Sequence, residues 1–298
     1  MLSAPLGRTV VLTIPSVSKI AAESLPFELT TDLDTLPKDL DTLIVIGGGS
    51  LMDETKVWRV HHAPETRLIA IPSLWGSGAE VSPVAVLNRQ GKKEIHVGTE
   101  LIPDIRCLWP HLSMSIPDHL ARYACGDAWS HALEGFLSPL AENDLQQELA
   151  EVIQAMIKLP LGNDSRWFEL SARACAGQAQ SGVGLIHGIA HTLEHTLRLK
   201  FPKADWGHAK LCSLFLGPVI EFNRQNSSKW KRMTQQYHLD EKAILELLQD
   251  LHDPKTYQQV LGLLDQHWMD ILKDPCSRIN STLVRPASKA FFLEYALR

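Results

Sequence analysis

The sequence predicts an α/β domain with a parallel sheet in residues 1–112, followed by an all-helical domain in residues 113–298. In the first part, short β-branched apolar runs that end at or beside Gly, Pro or Ser alternate with helical segments, as buried strands of a parallel sheet do. These runs are VVLTI (10–14), LIVIGGG (43–49) and LIAIPS (68–73). After residue 112 the segments carry helical spacing and few strand signals. A chain of 298 residues is long enough for both parts.

The second run leads into a strand–turn–helix unit around IGGGSLMD (46–53). The segment LMDETKVWRVHH fits a helix with Leu51, Val57 and Trp58 facing inward. Glycines at the end of a strand let the backbone approach a bulky ligand, and the first N–H groups of the next helix suit phosphate. Because the spacing is not GxGxxG, a tight turn and a phosphate cradle are equally good interpretations.

The third run ends in a loop of small and hydroxyl residues, IPSLWGSGAEVSP (71–83). Two such loops at the carboxyl ends of parallel strands form the crevice in which α/β sheets bind ligands. We therefore expect a ligand between this loop and the glycine turn. The alternative is a flexible surface loop.

The helical part begins with a carboxylate and an imidazole in a mostly apolar setting. In GDAWSHALEGF, Asp127 and His131 are four residues apart and would lie one turn apart on one face of a helix. Neither residue type enters a dry interior without a partner. The two side chains would therefore hold either each other or a metal ion.

Histidines recur further along the chain. LIHGIAHTLEHTL places His187, His191 and His195 on one helical face, and WGHAKLC adds His208. A single histidine in such a helix is more often a satisfied core residue, but this pattern together with the Asp/His pair favours a metal site. Asp127, His187, a further His and His131 would give one oxygen and three nitrogen ligands, which suits zinc or ferrous iron.

Composition limits the partners. The chain is 45% hydrophobic and 21% charged, as in ordinary globular proteins, and its net charge of −5 argues against nucleic acid or an anionic membrane as the main partner. No apolar run approaches the ~20 residues of a membrane span. The start, MLSAPLGRTVVLTIPS, lacks the pattern of a signal peptide, and five scattered cysteines without CxxC favour reduced thiols. We therefore expect a cytoplasmic protein.

Together these segments resemble the iron-containing alcohol dehydrogenase family. GGGSLMDETK is similar to the family's GGGSxxDxxK, IPSLWGSGAEVS to its loop PTTxGTGSEVT, GDAWSHALEG to DAxxHAxEG, and LIHGIAHTL to HGxAHxL. HAKLCSLFLGPVIEFN follows the register of the family's last histidine segment, and the motifs keep the family's order over residues 43–223. The resemblance implies a Rossmann-like dinucleotide-binding domain in residues 1–112, truncated at its front, and an all-α metal-binding domain in residues 113–298. This fold is shared with the dehydroquinate synthases.

The resemblance also implies a role for each matching residue. It makes Asp127, His131, His187 and His208 the metal ligands and places the catalytic His191 beside the nicotinamide and the substrate. The implied cofactor-binding residues are Gly48, Gly49, Ser50, Asp53, Ser73, Ser77 and Lys93.

Helix geometry agrees with His208, rather than His195, as the fourth ligand. His195 would lie two turns beyond His187, about 12 Å along the same helix axis, which metal–nitrogen bonds of about 2.1 Å cannot easily close. His208 instead follows KFPKADWG, where Pro202 and Gly207 allow the chain to turn back towards the site.

The activity implied by the resemblance is hydride transfer between NAD(H) or NADP(H) and a small alcohol or aldehyde, in the direction of aldehyde reduction, with Fe²⁺ or Zn²⁺ bound. Two alternatives stay open: a metal-dependent lyase or cyclase of the dehydroquinate synthase type, and a non-catalytic paralogue that has lost cofactor binding. The expected partners are the small-molecule substrate and a second copy in a homodimer, without nucleic acid or membrane.

Overall fold

The computed structural model describes residues 6–89 and 92–295. The strands are β1 (Thr9–Thr13), β2 (Glu28–Thr30), β3 (Thr42–Gly47), β4 (Arg67–Pro72), β5 (Val84–Arg89), β6 (Lys92–Val97) and β7 (Ile105–Arg106). The helices are α1 (Pro15–Ser24), α2 (Gly49–His62), α3 (Asp118–Leu137), α4 (Asn143–Met156), α5 (Arg166–Ser181), α6 (Leu185–Lys200), α7 (His208–Asn226), α8 (Ser228–Gln236), α9 (Glu241–Leu251), α10 (Pro254–Ile271), α11 (Pro275–Arg278) and α12 (Lys289–Tyr295).

Five strands form a parallel sheet in the order β2-β1-β3-β4-β7. Side chains alternate along each central strand, so Leu43 and Val45 enter one apolar cluster with Met52 of α2, and Ile44 enters another with Val17 of α1. Both faces are therefore covered by helices, which explains why these strands are near-continuous apolar runs.

The three strands predicted from the apolar runs are confirmed as β1, β3 and β4, and they lie next to one another in the sheet. The last two residues of the run LIVIGGG belong to the turn and to α2, which begins at Gly49. In α2 Val57 is buried as predicted, and Leu51 and Trp58, which are half-buried, pack inward against the apolar cluster of Leu43 and Val45. The full buried face of this helix is formed by Met52, Thr55, Lys56, Val57 and Arg59.

Strands β5 and β6 form an antiparallel hairpin outside the parallel sheet. Ala85 and Leu87 of the hairpin pack against Val57 of α2 and against Leu101. The hairpin therefore rests on α2 and carries Lys93 towards the helical part.

Among the described residues, those from Asp118 onward are helical or irregular, with no strand. Helix α3 is buried from Ala124 to Leu137 and packs against α5 and α7, while α6 packs against α7 and α10. The fold class, a parallel-sheet domain followed by a helical domain, is confirmed. The exact boundary at residue 112 stays a prediction. Within residues 6–89 and 92–295, no helix has the length and apolar character needed to cross a membrane.

Candidate metal centre and cofactor face

Three helices bring the predicted metal ligands together. Asp127 and His131 lie one turn apart in the buried middle of α3, His187 lies in the first turn of α6, and His208 begins α7. The Nε2 atom of His187 lies 3.1 Å from Nε2 of His131 and 3.9 Å from Oδ1 of Asp127. The Nε2 atom of His208 lies 4.0 Å from the same carboxylate oxygen. We call this group the metal corner.

The hydrogen bonds made by Nδ1 of His131 and of His187 determine whether the Nε2 atom of each ring can accept. Nδ1 of His131 lies 3.0 Å from the carbonyl oxygen of Gly76, which can only accept, so this nitrogen carries the proton. Nδ1 of His187 likewise donates to the Glu134 carboxylate at 2.7 Å. In the neutral rings both Nε2 atoms are then acceptors that face each other at 3.1 Å. Such a contact is repulsive unless a cation lies nearby.

An unpartnered oxygen faces the same space. Oδ1 of Asp127, 3.9 Å from Nε2 of His187 and 4.0 Å from Nε2 of His208, is buried and has no hydrogen-bond partner within the described part of the chain. A buried carboxylate oxygen without a donor is costly, and coordination of a cation removes that cost. The residues present therefore fit a divalent metal bound by nitrogen and oxygen.

The site favours neutral imidazoles. Burial lowers the pKa of His131 to about 4, against the attraction of Asp127. Burial, followed by the nearby charge of His191, lowers the pKa of His187 to about 3. Burial also lowers the pKa of His208 well below its usual value. Neutral imidazole is the form that binds metals, so these rings need lose no proton to do so near neutral pH.

Glu134 orients one ligand and was not singled out from the sequence. Its Oε2 accepts from Nδ1 of His187, and its Oε1 accepts the backbone N–H of Ile186 at 2.6 Å. Burial raises the pKa of Glu134 to about 7, although the N–H groups of Gly184 and Ile186 act in the opposite direction. The signal was available, because Glu134 lies three residues after His131 and so on the same side of α3.

Cys212 is the second residue that sequence reasoning missed. Its Sγ lies 3.4 Å from Nε2 of His208, four residues earlier on α7. Asp127, His187, His208 and Cys212 each offer a donor atom, and all four atoms lie within 4.8 Å of one another. The signal was the i, i+4 spacing of histidine and cysteine in HAKLC, which places both on one helical face.

His191 lies beside the metal corner. Its ring stacks on the His208 ring, with centroids 5.5 Å apart and planes inclined by 21°. The ring centroid of His187 lies 6.1 Å away. His195 follows one turn later on α6 and belongs to neither cluster of potential metal ligands found in the described part of the chain.

The loop after β4 joins the two parts of the molecule. Gly76 adopts a φ of +107°, and a Cβ there would lie 3.2 Å from Oδ2 of Asp127, so glycine is needed both for conformation and for space. The N–H of Gly76 donates to Ser171 of α5 at 2.7 Å, and Trp75 packs edge-on against Phe168. Docked in this way, the loop presents the Gly76 carbonyl to His131.

The glycine turn faces the same loop. A Cβ on Gly49 would meet Oγ of Ser77 at 2.6 Å, so close packing of the two loops requires glycine there. A Cβ on Gly48 would meet no described atom within 4 Å. Gly48 is the N-cap of α2, and no side chain caps this helix. The first turn of α2, including the exposed Ser50, therefore presents N–H groups beside open space.

Other predicted cofactor residues are engaged within the protein. Asp53 accepts from Lys56 at 3.1 Å and from the N–H of Val86 at 3.0 Å, which ties α2 to the hairpin. Burial raises the pKa of Asp53. Ser73 lies buried at the end of β4, where its N–H donates to the Gly47 carbonyl at 2.9 Å. These contacts shape the crevice, and direct binding of cofactor by the two side chains stays a prediction.

Lys93 links the hairpin to the helical part. Its Nζ lies 2.6 Å from Oε2 of Glu194, a buried residue of α6 that also pairs with Arg198. Glu194 comes three residues after His191, so Lys93 reaches the helix that carries the predicted relay histidine. Its predicted role near the cofactor is not tested by this contact.

Known proteins share this fold over nearly the whole chain. An iron-containing alcohol dehydrogenase from Thermococcus thioreducens superposes with a TM-score of 0.76 at 21% identity, covering 97% of this chain and 92% of that one. An alcohol dehydrogenase from Oenococcus oeni gives 0.77 at 18% identity, with 97% and 92% covered. The fold is thus that of these alcohol dehydrogenases.

Sequence comparisons point to the same family. The sequence model of "Iron-containing alcohol dehydrogenase" matches residues 36–110. An alcohol dehydrogenase of Thermococcus barophilus is 29% identical over 223 residues, which cover 64% of this chain and 56% of that protein. The 1-propanol dehydrogenase PduQ of Salmonella typhimurium is 33% identical over 198 residues, covering 61% and 51%. The chain thus spans about half the length of these curated relatives.

The family model, the curated relatives and the solved structures thus all indicate the iron-containing alcohol dehydrogenase family. The motifs from residue 43 to residue 223 and the metal corner are consistent with this resemblance.

Proposed function

We propose that the chain is a metal-dependent oxidoreductase that transfers a hydride between NAD(H) or NADP(H) and a small alcohol or aldehyde, in the direction of aldehyde reduction. The observation that carries the proposal is the pair of inward-facing Nε2 atoms of His131 and His187 beside the unpartnered Oδ1 of Asp127. The loop after β4 connects this arrangement with the glycine turn. Its Gly76 carbonyl contacts His131, and its Ser77 packs against Gly49, next to the open space at Gly48. A metal and a dinucleotide would therefore meet in one crevice.

Asp127, His131, His187 and His208 would hold Fe²⁺ or Zn²⁺, which when bound supplies a Lewis acid that polarises the substrate oxygen. Cys212 lies close enough to join them. Gly48 and the first turn of α2 would bind the pyrophosphate of the dinucleotide through backbone N–H groups. Lys93 would hold the hairpin against α6 beside the cofactor.

His191 would transfer the proton that accompanies hydride transfer. Its side chain is 13% exposed, so it has a path to solvent while lying against the metal corner. The buried walls formed by α3 and α7 would keep the remaining crevice dry and the reactants aligned. Five free thiols among the described residues support a reducing compartment such as the cytoplasm.

The relatives' names support the chemistry. They include the 1-propanol dehydrogenase PduQ and the maleylacetate reductase 2 of Cupriavidus pinatubonensis, which is 28% identical over 193 residues. All of these names describe oxidoreductases.

The test uses purified full chain, stripped of metal and reloaded with Fe²⁺ without oxygen or with Zn²⁺. We expect short-chain aldehydes to cause loss of the near-ultraviolet absorbance of NADH or NADPH, and calorimetry to detect binding of one of the two dinucleotides. Metal-loaded protein that binds neither would overturn the proposal in favour of a non-catalytic paralogue. If the protein binds a dinucleotide but no carbonyl substrate causes net oxidation of NADH or NADPH, the lyase or cyclase alternative is favoured.

A further inference from the structure

A second group of donor atoms lies against the outer edge of the His191 ring. Helix α11 packs on α6 and carries Cys276, and Asp274 is the N-cap of α11. Nδ1 of His191 lies 3.6 Å from Oδ2 of Asp274 and 3.8 Å from Sγ of Cys276. One donor atom from each of the three residues falls within 4.8 Å of the other two.

The distances between these donor atoms are close to those between the ligands of a bound metal ion. A tetrahedral zinc ion would hold imidazole nitrogen and thiolate sulfur about 3.6 Å apart and imidazole nitrogen and carboxylate oxygen about 3.3 Å apart. The measured separations, 3.8 Å and 3.6 Å, exceed these values by only a few tenths of an ångström. Side-chain rotations of that size require no backbone movement.

The local backbone fixes the carboxylate. The N–H of Cys276 donates to Oδ1 of Asp274 at 2.8 Å, which leaves Oδ2 turned towards His191. Asp274 and His191 are 16% and 13% exposed, and Cys276 is half-buried. An ion can therefore enter from solvent and keep a water as its fourth ligand.

We propose that Nδ1 of His191, Oδ2 of Asp274 and Sγ of Cys276 form a second cation site, which takes a thiophilic divalent ion of the zinc class and inhibits the enzyme. The carboxylate and thiolate balance the charge of the ion, and the softness of sulfur selects zinc, cadmium or cobalt over magnesium or calcium. Binding breaks the S–H bond of Cys276 and releases that proton to solvent.

Inhibition would follow from the tautomer of His191. When Nδ1 coordinates a cation, the ring proton moves to Nε2, so neither nitrogen can then accept a proton. This consequence rests on the proposed relay role of His191. Binding of the cation does not.

The experiment titrates full-length protein, loaded with one equivalent of Zn²⁺ at the metal corner, with Co²⁺. We expect a second equivalent to bind with a thiolate-to-cobalt charge-transfer band. The band should be lost in Cys276→Ser and weakened at least tenfold in apparent affinity in Asp274→Asn. The matched control Cys212→Ser should keep the band, because Cys212 belongs to the other group of donor atoms, with Asp127, His187 and His208.

Two further measurements distinguish binding at this second site from replacement of the metal at the metal corner. Zinc should slow alkylation of Cys276, followed by mass spectrometry, at least tenfold, whether or not the protein is a reductase. In an active enzyme, excess zinc should inhibit the wild type, and Cys276→Ser should raise the inhibition constant at least tenfold. No second equivalent, a band that survives in Cys276→Ser, or inhibition unchanged by that variant would overturn the proposal.

Discussion

The metal corner is built in the opposite way to the proposed cofactor face, by which we mean the open space beside Gly48 and the first turn of α2. In the metal corner, Asp127, His131 and His187 are nearly inaccessible, with 2%, 6% and 3% of their surface exposed, and Nδ1 of each histidine is already hydrogen-bonded. At the cofactor face, Gly48 borders open space and Ser50 is exposed. One region is made of buried side chains and the other of backbone shape.

The difference determines how each region can fail. Loss of one side chain from the metal corner leaves buried polar atoms without partners, so a single substitution is enough to abolish metal binding. The cofactor face has few side chains to lose, and it fails only when something fills the space it keeps open. The predictions below use this contrast.

Removal of His208 should have the largest effect. We expect His208→Ala to purify without bound metal, because one ligand of four is lost and Asp127 keeps an unsatisfied oxygen. His195→Ala is the matched control, since His195 lies on α6 outside both clusters of potential ligands found in the described residues. Metal content by mass spectrometry of the two variants decides the matter. Full metal content in His208→Ala, or its loss in His195→Ala, would show that the fourth ligand is wrongly assigned.

The helical part was the more predictable half because its signals are side chains at helical spacing. The prediction that Asp127 and His131 lie on one face of one helix is confirmed. The preference for His208 over His195 as the fourth ligand used only the distance between His187 and His195 along the helix. Glu134 and Cys212 have the same kind of helical spacing relative to His131 and His208, but that spacing alone does not distinguish a residue of a metal site from any other residue on the same helical face. Their roles depend on contacts between α3, α6 and α7 that no local pattern contains.

The α/β part was predictable only in its central strands. β1, β3 and β4 have five or six residues, most of them apolar, whereas β2 has three residues and β7 has two, too few to show any periodicity. The hairpin of β5 and β6 was missed as well, although it carries Lys93. Which glycine borders open space and which packs against a loop could not be predicted, because Gly48 and Gly49 are adjacent and differ only in what the fold places beside them.

Filling the space at Gly48 should abolish dinucleotide binding and leave the metal in place. Gly48 has extended backbone angles, with φ −84° and ψ −178°, which suit a β-branched residue, and a Cβ there would meet no described atom within 4 Å. We expect Gly48→Val to retain its melting temperature and metal content but to show no calorimetric signal with NAD(H) or NADP(H). Gly49→Ala is the contrasting variant, since its Cβ would clash with Ser77 and lower the melting temperature. Normal cofactor binding by Gly48→Val would mean that the dinucleotide lies elsewhere.

The stability of the metal-free protein should depend on pH through Glu134. Its pKa is raised from 4.5 to about 7 by burial, so the folded state binds the extra proton. The stabilisation is complete below pH 4.5 and is lost as the pH rises through 7, with a slope of up to about 1.4 kcal/mol per pH unit. Glu134→Gln lacks this term, so the difference in unfolding free energy between wild type and variant should grow as the pH falls from 7 to 4.5. Urea titrations of both metal-free proteins measure it, and parallel pH curves would contradict the assignment.

The smallest expected effect concerns the same residue in the metal-loaded protein. Glu134 does not face the ion, but it fixes the His187 ring through a 2.7 Å hydrogen bond and makes Nε2 the acceptor. An amide can accept the same hydrogen bond without the negative charge, so Glu134→Gln should weaken metal affinity about 10- to 100-fold without abolishing it. Competition with a chromophoric chelator measures this loss, and Glu151→Gln, at an exposed position on α4, serves as the control. If Glu134→Gln binds metal as tightly as the wild type, the Glu134 carboxylate contributes to the fold and not to metal binding. If it loses metal as completely as His208→Ala, Glu134 is itself a ligand, and the metal corner differs from the set of residues predicted for it.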